Sequence, residues 1–244
     1  MTIVLHRFPL SHFSEKARAA LDFKGLEYRI EEHKPGPEQI AIYRLSGQRK
    51  LPVIEHDGAV VADSTEIALY LERTFPEGRR LLPDDPEQRG EVLALEARLD
   101  DTLGKYAPFC LMRRGLREEH YLDALGAAMG PFAHAGLGAL AAVLPLAEAR
   151  VGAVERWLDA AERAVRATLA ELCARLEGSA YLVGDAPSLA DVAAVALVYP
   201  LKFPPSKHLF KPELAGTSVR SIAEDPALAR FFDFRDRFYR DYLR

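Results

Sequence analysis

Ser11 and Ser14 stand three apart in FPLSHFSEKARAAL, residues 8–21, where an apolar run gives way to a helical pattern. Redox proteins fill this S-x-x-S spacing with C-x-x-C, so two hydroxyls here remove dithiol exchange and leave two polar groups at the positive end of a helix. A hydroxyl at Ser11 either caps the helix by accepting a backbone N–H or donates to an anion held over the same N–H groups. Ser14, in the first helical turn, reads as structural and stands as the alternative to Ser11. His12, between them, is expected to be a partly exposed residue of the helix start. The chain's two cysteines, Cys110 and Cys173, lie far downstream and far apart, so neither a disulfide framework nor a cysteine-rich zinc site is expected.

Other polar groups recur at helix starts. Asp63 and Ser64 precede a helix from about Thr65, where free N–H groups suit a carboxylate; Asp63 with Glu66 also fits a capping box, and the two roles can coexist. Ser188 and Asp191, in SLAD before an apolar run, form a second reciprocal cap that serves folding. Pro52 lacks an N–H and suits the start of a strand. The seven histidines are scattered along the sequence, with no H-E-x-x-H, clustered carboxylates or phosphate-cradling glycine loop, so no metal site or nucleotide chemistry is expected.

The elements that would position these groups change character along the chain. Residues 2–6 form a buried strand, the Ser11 segment a helix stopped near Gly25, and LEYRIEE a half-buried strand. A short helix around EQIAIYRL, a hairpin turning at Asp57 and Gly58, and the helix STEIALYLERTF complete a β-α-β-α-β-β-α order. Four prolines and glycines over residues 76–86 then break the periodicity. Beyond them only helices are expected, over about 86–106, 116–129, 150–177, 188–202 and 225–241, the third with Val154, Trp157, Leu158, Ala161, Val165 and Leu169 on one face.

With 244 residues, 49% of them hydrophobic and 28% charged, the chain has the balance of a globular protein of one large or two ordinary domains. A formal charge of −4 gives no bulk attraction to nucleic acid or an anionic membrane, which leaves a small-molecule partner. The opening MTIVLHRFPL lacks the parts of a secretory signal, so a cytoplasmic location is expected. Residues 124–147 carry no formal charge, but their Ala and Gly content, two prolines and His134 favour closely packed soluble helices over a membrane span.

Four stretches together resemble the cytosolic glutathione S-transferases: SHFSEKARAALDFKGLEY, RKLPVIEHDGAVVADSTEIALYL, YLVGDAPSLADVAAVALVYPL and, more weakly, EDPALARFFDFRDRFY. The zeta and theta classes come closest in having serine at the first helix. The resemblance implies a thioredoxin-like α/β domain over residues 1–82, a linker at 83–86, and an all-α helical-bundle domain over 87–244 that contributes the electrophile site. It implies that Ser11 assists bound glutathione to ionise, since a free thiol with a pKa of about 8.5 is mostly protonated at neutral pH. A cis peptide before Pro52 would turn the backbone of Leu51 outward to pair with glutathione like an added strand. Ser64 would hold the γ-glutamyl carboxylate, Asp63 its ammonium, and Lys50 the glycyl carboxylate.

The reaction so implied is attack of the glutathione sulfur on an electrophilic small molecule, with glutathione as co-substrate and no permanently bound cofactor. Tyr106, Phe109 and Tyr199 are the expected electrophile-pocket residues, from segments around 104–116 and 199–210. The resemblance also implies a homodimer. A non-catalytic glutathione-binding or interaction module of the same fold is the alternative, because the serine pair alone proves no turnover.

Overall fold

A computed structural model describes residues 2–115, 148–209 and 214–243. The expected helix at 116–129 and the uncharged stretch 124–147 lie outside these residues. Strand β1 (Ile3–Arg7) is buried throughout and central, lying parallel to β2 (Tyr28–Glu32) and antiparallel to β3 (Val53–His56), which pairs antiparallel with β4 (Ala59–Ala62). The sheet order is β2-β1-β3-β4. Helix α1 (His12–Phe23) makes the crossover between the parallel strands, as a parallel pair requires. It ends where Gly25 adopts φ 71°, a left-handed value that costs glycine little. The β3–β4 turn places Asp57 and Gly58 both at positive φ, 51° and 83°, the backbone that suits a two-residue hairpin.

Helix α2 (Glu38–Ser46) covers one face of the sheet through Ile42, and α3 (Ser64–Thr74) packs beside α1 on the other. The thioredoxin-like arrangement expected for the N-terminal half is therefore present, followed by a helical domain.

The helical half starts at α4 (Pro86–Leu99), capped by Asp85, and continues through a π-helical turn (Asp100–Gly104) into α5 (Lys105–Gly115). The sequence pattern reads 86–106 as one regular helix; the π turn interrupts it where Gly104 meets α1. A side chain at Gly104 would put its Cβ 2.7 Å from the Phe13 ring, so any larger residue would force that ring to shift. Next come α6 (Glu148–Arg175), α7 (Leu189–Leu197), the short α8 (Arg220–Ala223), a 3₁₀ turn (Pro226–Leu228) and α9 (Ala229–Tyr242). Helix α7 is buried at every position and lies against both α1 and α4, so one apolar core joins the two halves.

The expected stripe on α6 holds only in part. Leu158, Ala161, Val165 and Leu169 are buried, whereas Val154 and Trp157 are 42% and 43% exposed, and the Trp157 ring meets the Phe109 ring edge-on. Among the described residues no helix is long and apolar enough to cross a membrane.

Candidate active site

Ser11 is the N-cap of α1, and its Oγ accepts the Ser14 N–H at 3.2 Å. That bond occupies a lone pair and leaves the hydroxyl hydrogen available, on a side chain only partly buried. Ser14 differs: it is 1% exposed, and its Oγ accepts the Phe8 N–H at 3.3 Å. The two serines therefore have different surroundings, one partly exposed and one enclosed in the protein.

His12 is not the partly exposed residue that its position suggests. It is buried, with Nε2 2.7 Å from the carbonyl of Gly104, and burial lowers its pKa to about 4. The ring is consequently neutral at pH 7 and donates to the π turn. Its environment comes from a residue remote in sequence, so nothing near position 12 announces it.

The Leu51–Pro52 peptide is cis. Among the described residues Leu51 enters no backbone hydrogen bond, so its N–H and C=O remain available beside the start of β3. Lys50 is exposed on the same segment. Across from it, Asp63 caps α3 at φ 78°, its Oδ1 accepting from Thr65 N–H at 2.8 Å and Glu66 N–H at 3.3 Å. Ser64 follows, 2% exposed, with an Oγ that has no hydrogen-bond partner. A buried unpaired hydroxyl costs stability, and its place at a helix N-terminus is where a carboxylate would satisfy it.

The three expected pocket aromatics have different neighbours. Tyr106 packs against the main core, and Phe109 meets Trp157. Tyr199 is 3% exposed, clusters with Leu111 and Phe203, and donates its hydroxyl to the Pro9 carbonyl at 3.2 Å. Tyr199 thus braces the loop before Ser11 instead of lining open space, because its burial on a wholly buried segment needs a satisfied hydroxyl.

Sequence reasoning missed a buried ionic cluster next to these groups. Lys16, fully buried on α1, donates to Thr65 Oγ1 at 3.0 Å, to Asp100 at 2.7 Å and to Glu96. Thr65 also donates to Glu96 at 2.6 Å, so the residue after Ser64 is tied to the helical half. A second cluster joins Arg18 to Glu15 and Asp22, with Tyr239 donating to Glu15 at 2.8 Å. Glu96, Asp100 and Tyr239 stand 80 residues or more from the α1 residues they bond and Thr65 stands 49 away, so no local pattern carries those contacts; only the pairs of Arg18 with Glu15 and Asp22 are local, at i,i+3 and i,i+4. Neither cysteine is poised as a nucleophile: both are buried, and burial pushes the Cys110 thiol up to about 12.

A profile of the glutathione S-transferase N-terminal domain matches residues 5–79, and one of the C-terminal domain of the same family matches residues 137–215. The chain belongs to the glutathione S-transferase family. A relative from Arabidopsis thaliana, glutathione S-transferase U10, is 33% identical over 91 residues, which are 37% of this chain and 39% of that one. The chain thus spans about two-fifths of the length of the curated relatives it matches. The crystal structure of the β-etherase LigF from Sphingobium is 26% identical and covers 96% of this chain and 99% of its own, with a TM-score of 0.60. A Methylobacterium radiotolerans glutathione S-transferase, solved with glutathione sulfonate, shares the fold at 24% identity, 100% and 93% coverage and a TM-score of 0.63.

Proposed function

We propose that the protein is a glutathione transferase in which Ser11 donates a hydrogen bond to the thiolate of bound glutathione, which then attacks an electrophilic carbon. The observation that carries this reading is the buried, unpartnered hydroxyl of Ser64 at the N-terminus of α3, beside Asp63. The γ-glutamyl carboxylate would accept from Ser64 and the α3 N–H groups, its ammonium would donate to Asp63, and the unbonded backbone of Leu51 would pair with the cysteinyl unit. Lys50 is near enough in sequence to Leu51 to meet the glycyl carboxylate. Ser11 is favoured over Ser14 because Ser14 is enclosed and already engaged with Phe8.

Stabilising the thiolate at a helix start lowers the thiol pKa and so raises the nucleophile's population at neutral pH. Glutathione is a co-substrate in this scheme, and no resident cofactor is invoked. The residues from 1–82 would bind it, and those from 87 onward would hold the electrophile, with Tyr106 and Phe109 nearer that role than Tyr199. The β-etherase relative makes an ether one electrophile to assay. The serine at position 11 supports a zeta- or theta-like subclass, although plant U-series relatives also match. A cytoplasmic homodimer completes the reading.

The test is calorimetric titration with glutathione followed by thiolate absorbance against pH, for wild type, Ser11→Ala and Ser64→Ala. Ser64→Ala should weaken binding roughly 10-fold, the worth of one hydrogen bond to a charged group. Ser11→Ala should still bind but return the thiol toward its free pKa of about 8.5. Tight binding by wild type without a lowered pKa would leave the non-catalytic module, and no binding would end both readings.

A further inference from the structure

His6 and His33, 27 residues apart, meet on the α2 side of the sheet with Nδ1 of one 2.9 Å from Nε2 of the other. His6 lies on β1 opposite Glu31 of β2 in the parallel register, and Glu31 Oε2 is 3.5 Å from the same Nδ1. All three donor atoms fall within 4.8 Å of one another. We propose that His6, His33 and Glu31 form a binding site for a divalent first-row transition ion of the Zn²⁺ class.

The surroundings of the histidines favour this over a simple hydrogen-bonded pair. A carboxylate can only accept, so the 2.8 Å contact between His6 Nε2 and Glu55 places the ring hydrogen on Nε2 and leaves Nδ1 with its lone pair toward His33. A histidine ligand characteristically donates its other ring N–H to a carboxylate, and Glu55 occupies that place. His33 follows the same plan more loosely, with Nδ1 3.9 Å from Glu38. Binding through Nε2 needs only that the His33 proton move to Nδ1, where it faces Glu38.

The distances also suit a cation. Tetrahedral donors at about 2.0–2.1 Å from Zn²⁺ stand about 3.3 Å apart, so 2.9 and 3.5 Å bracket the separation required. His6 is 5% exposed at its side chain and Glu31 38%, so the site is anchored inside and open toward solvent, with a coordination position left for water. Arg29 holds the other oxygen of Glu31 and orients it, though its charge works against a cation.

Untagged full-length protein, stripped with chelator, would be titrated with ZnCl₂ against a chromophoric chelator and separately with CoCl₂. Wild type should bind one Zn²⁺ and give the visible cobalt bands of low-coordinate nitrogen and oxygen ligation, without thiolate charge transfer. Glu55→Gln should weaken binding about 10–100-fold, the usual effect of losing a partner behind a ligand, and His33→Ala and Glu31→Gln by more. Glu31 and Glu55 are partly exposed, so these variants keep the test readable if His33→Ala fails to fold. Failure of the wild type to compete for Zn²⁺, or equal affinity in wild type, Glu31→Gln and Glu55→Gln, would overturn the proposal.

Discussion

Helices α1 and α7 press against each other at the centre of the molecule, and both are buried nearly from end to end. They achieve it by opposite chemistry. Helix α7, LADVAAVAL, is apolar apart from Asp191, whereas α1 buries Glu15, Lys16, Arg18 and Asp22 along with its alanines and leucine. Small apolar side chains need only close packing, and the cost of any one change depends on the space it leaves. Buried charges need named partners, which here come from α1 itself, α3, α4, α9 and the π turn. The pairing of the two halves is therefore generic on α7 and specific on α1.

Removing one member of the ionic cluster tests that difference most severely. Lys16→Met leaves Glu96 and Asp100 without their cation and should cost about 3–5 kcal/mol in denaturant unfolding. Adding Glu96→Gln should restore part of the loss, because the uncompensated charge is the source of the damage. A loss below 1 kcal/mol for Lys16→Met would erase the distinction between the helices.

The cap of α7 is the next largest effect. Asp191 accepts from the Ser188 N–H at 2.8 Å, the Ser188 hydroxyl at 3.0 Å and the Leu182 N–H at 2.9 Å. Asp191→Ala strands these donors and should cost about 2 kcal/mol or more.

The two helices should also respond oppositely to pH. His12 at the start of α1 has its pKa lowered from 6.5 to about 4, so the unfolded chain takes up its proton first. Its contribution is full above pH 6.5 and is lost as pH falls toward 4. Asp191 at the start of α7 has its pKa raised by burial from 3.8 to about 6, so the folded chain holds that proton more tightly. Its contribution is full below pH 3.8 and is lost as pH rises toward 6. Unfolding free energies from pH 4 to 6 should therefore become shallower in their rise with pH for His12→Gln, and steeper for Asp191→Asn.

The smallest effect marks where charge ceases to matter. Arg98 and Glu171 pair on the surface at 43% and 40% exposure, and Glu171→Ala should cost less than about 1 kcal/mol, less still in high salt.

The same contrast explains what could be read from the sequence. The run after Ser188, the hairpin at Asp57–Gly58 and the stop at Gly25 were legible because period, turn chemistry and caps are local. The polar face of α1 was not, since lysine and arginine are ordinarily solvated and the partners of Lys16 lie far along the chain. At the candidate site, Asp63, Ser64, Leu51 and Pro52 are brought to neighbouring helix and strand starts as their motifs suggest, whereas Tyr199 and His12 turn inward. Both bond to backbone carbonyls across the fold, which no spacing rule encodes. The meeting of His6 with His33 follows from the parallel register of β1 and β2, one step beyond the identification of two strands.

The segment that bears Ser11 is moored from the far half of the chain at three points: Arg7 to the His208 carbonyl at 2.7 Å, Tyr199 to the Pro9 carbonyl at 3.2 Å, and His12 to the Gly104 carbonyl at 2.7 Å. A chimera that kept residues 1–82 and borrowed another member's helices would exchange the pedestal under the hydroxyl. Grafted specificity in this scaffold must carry those three moorings with it.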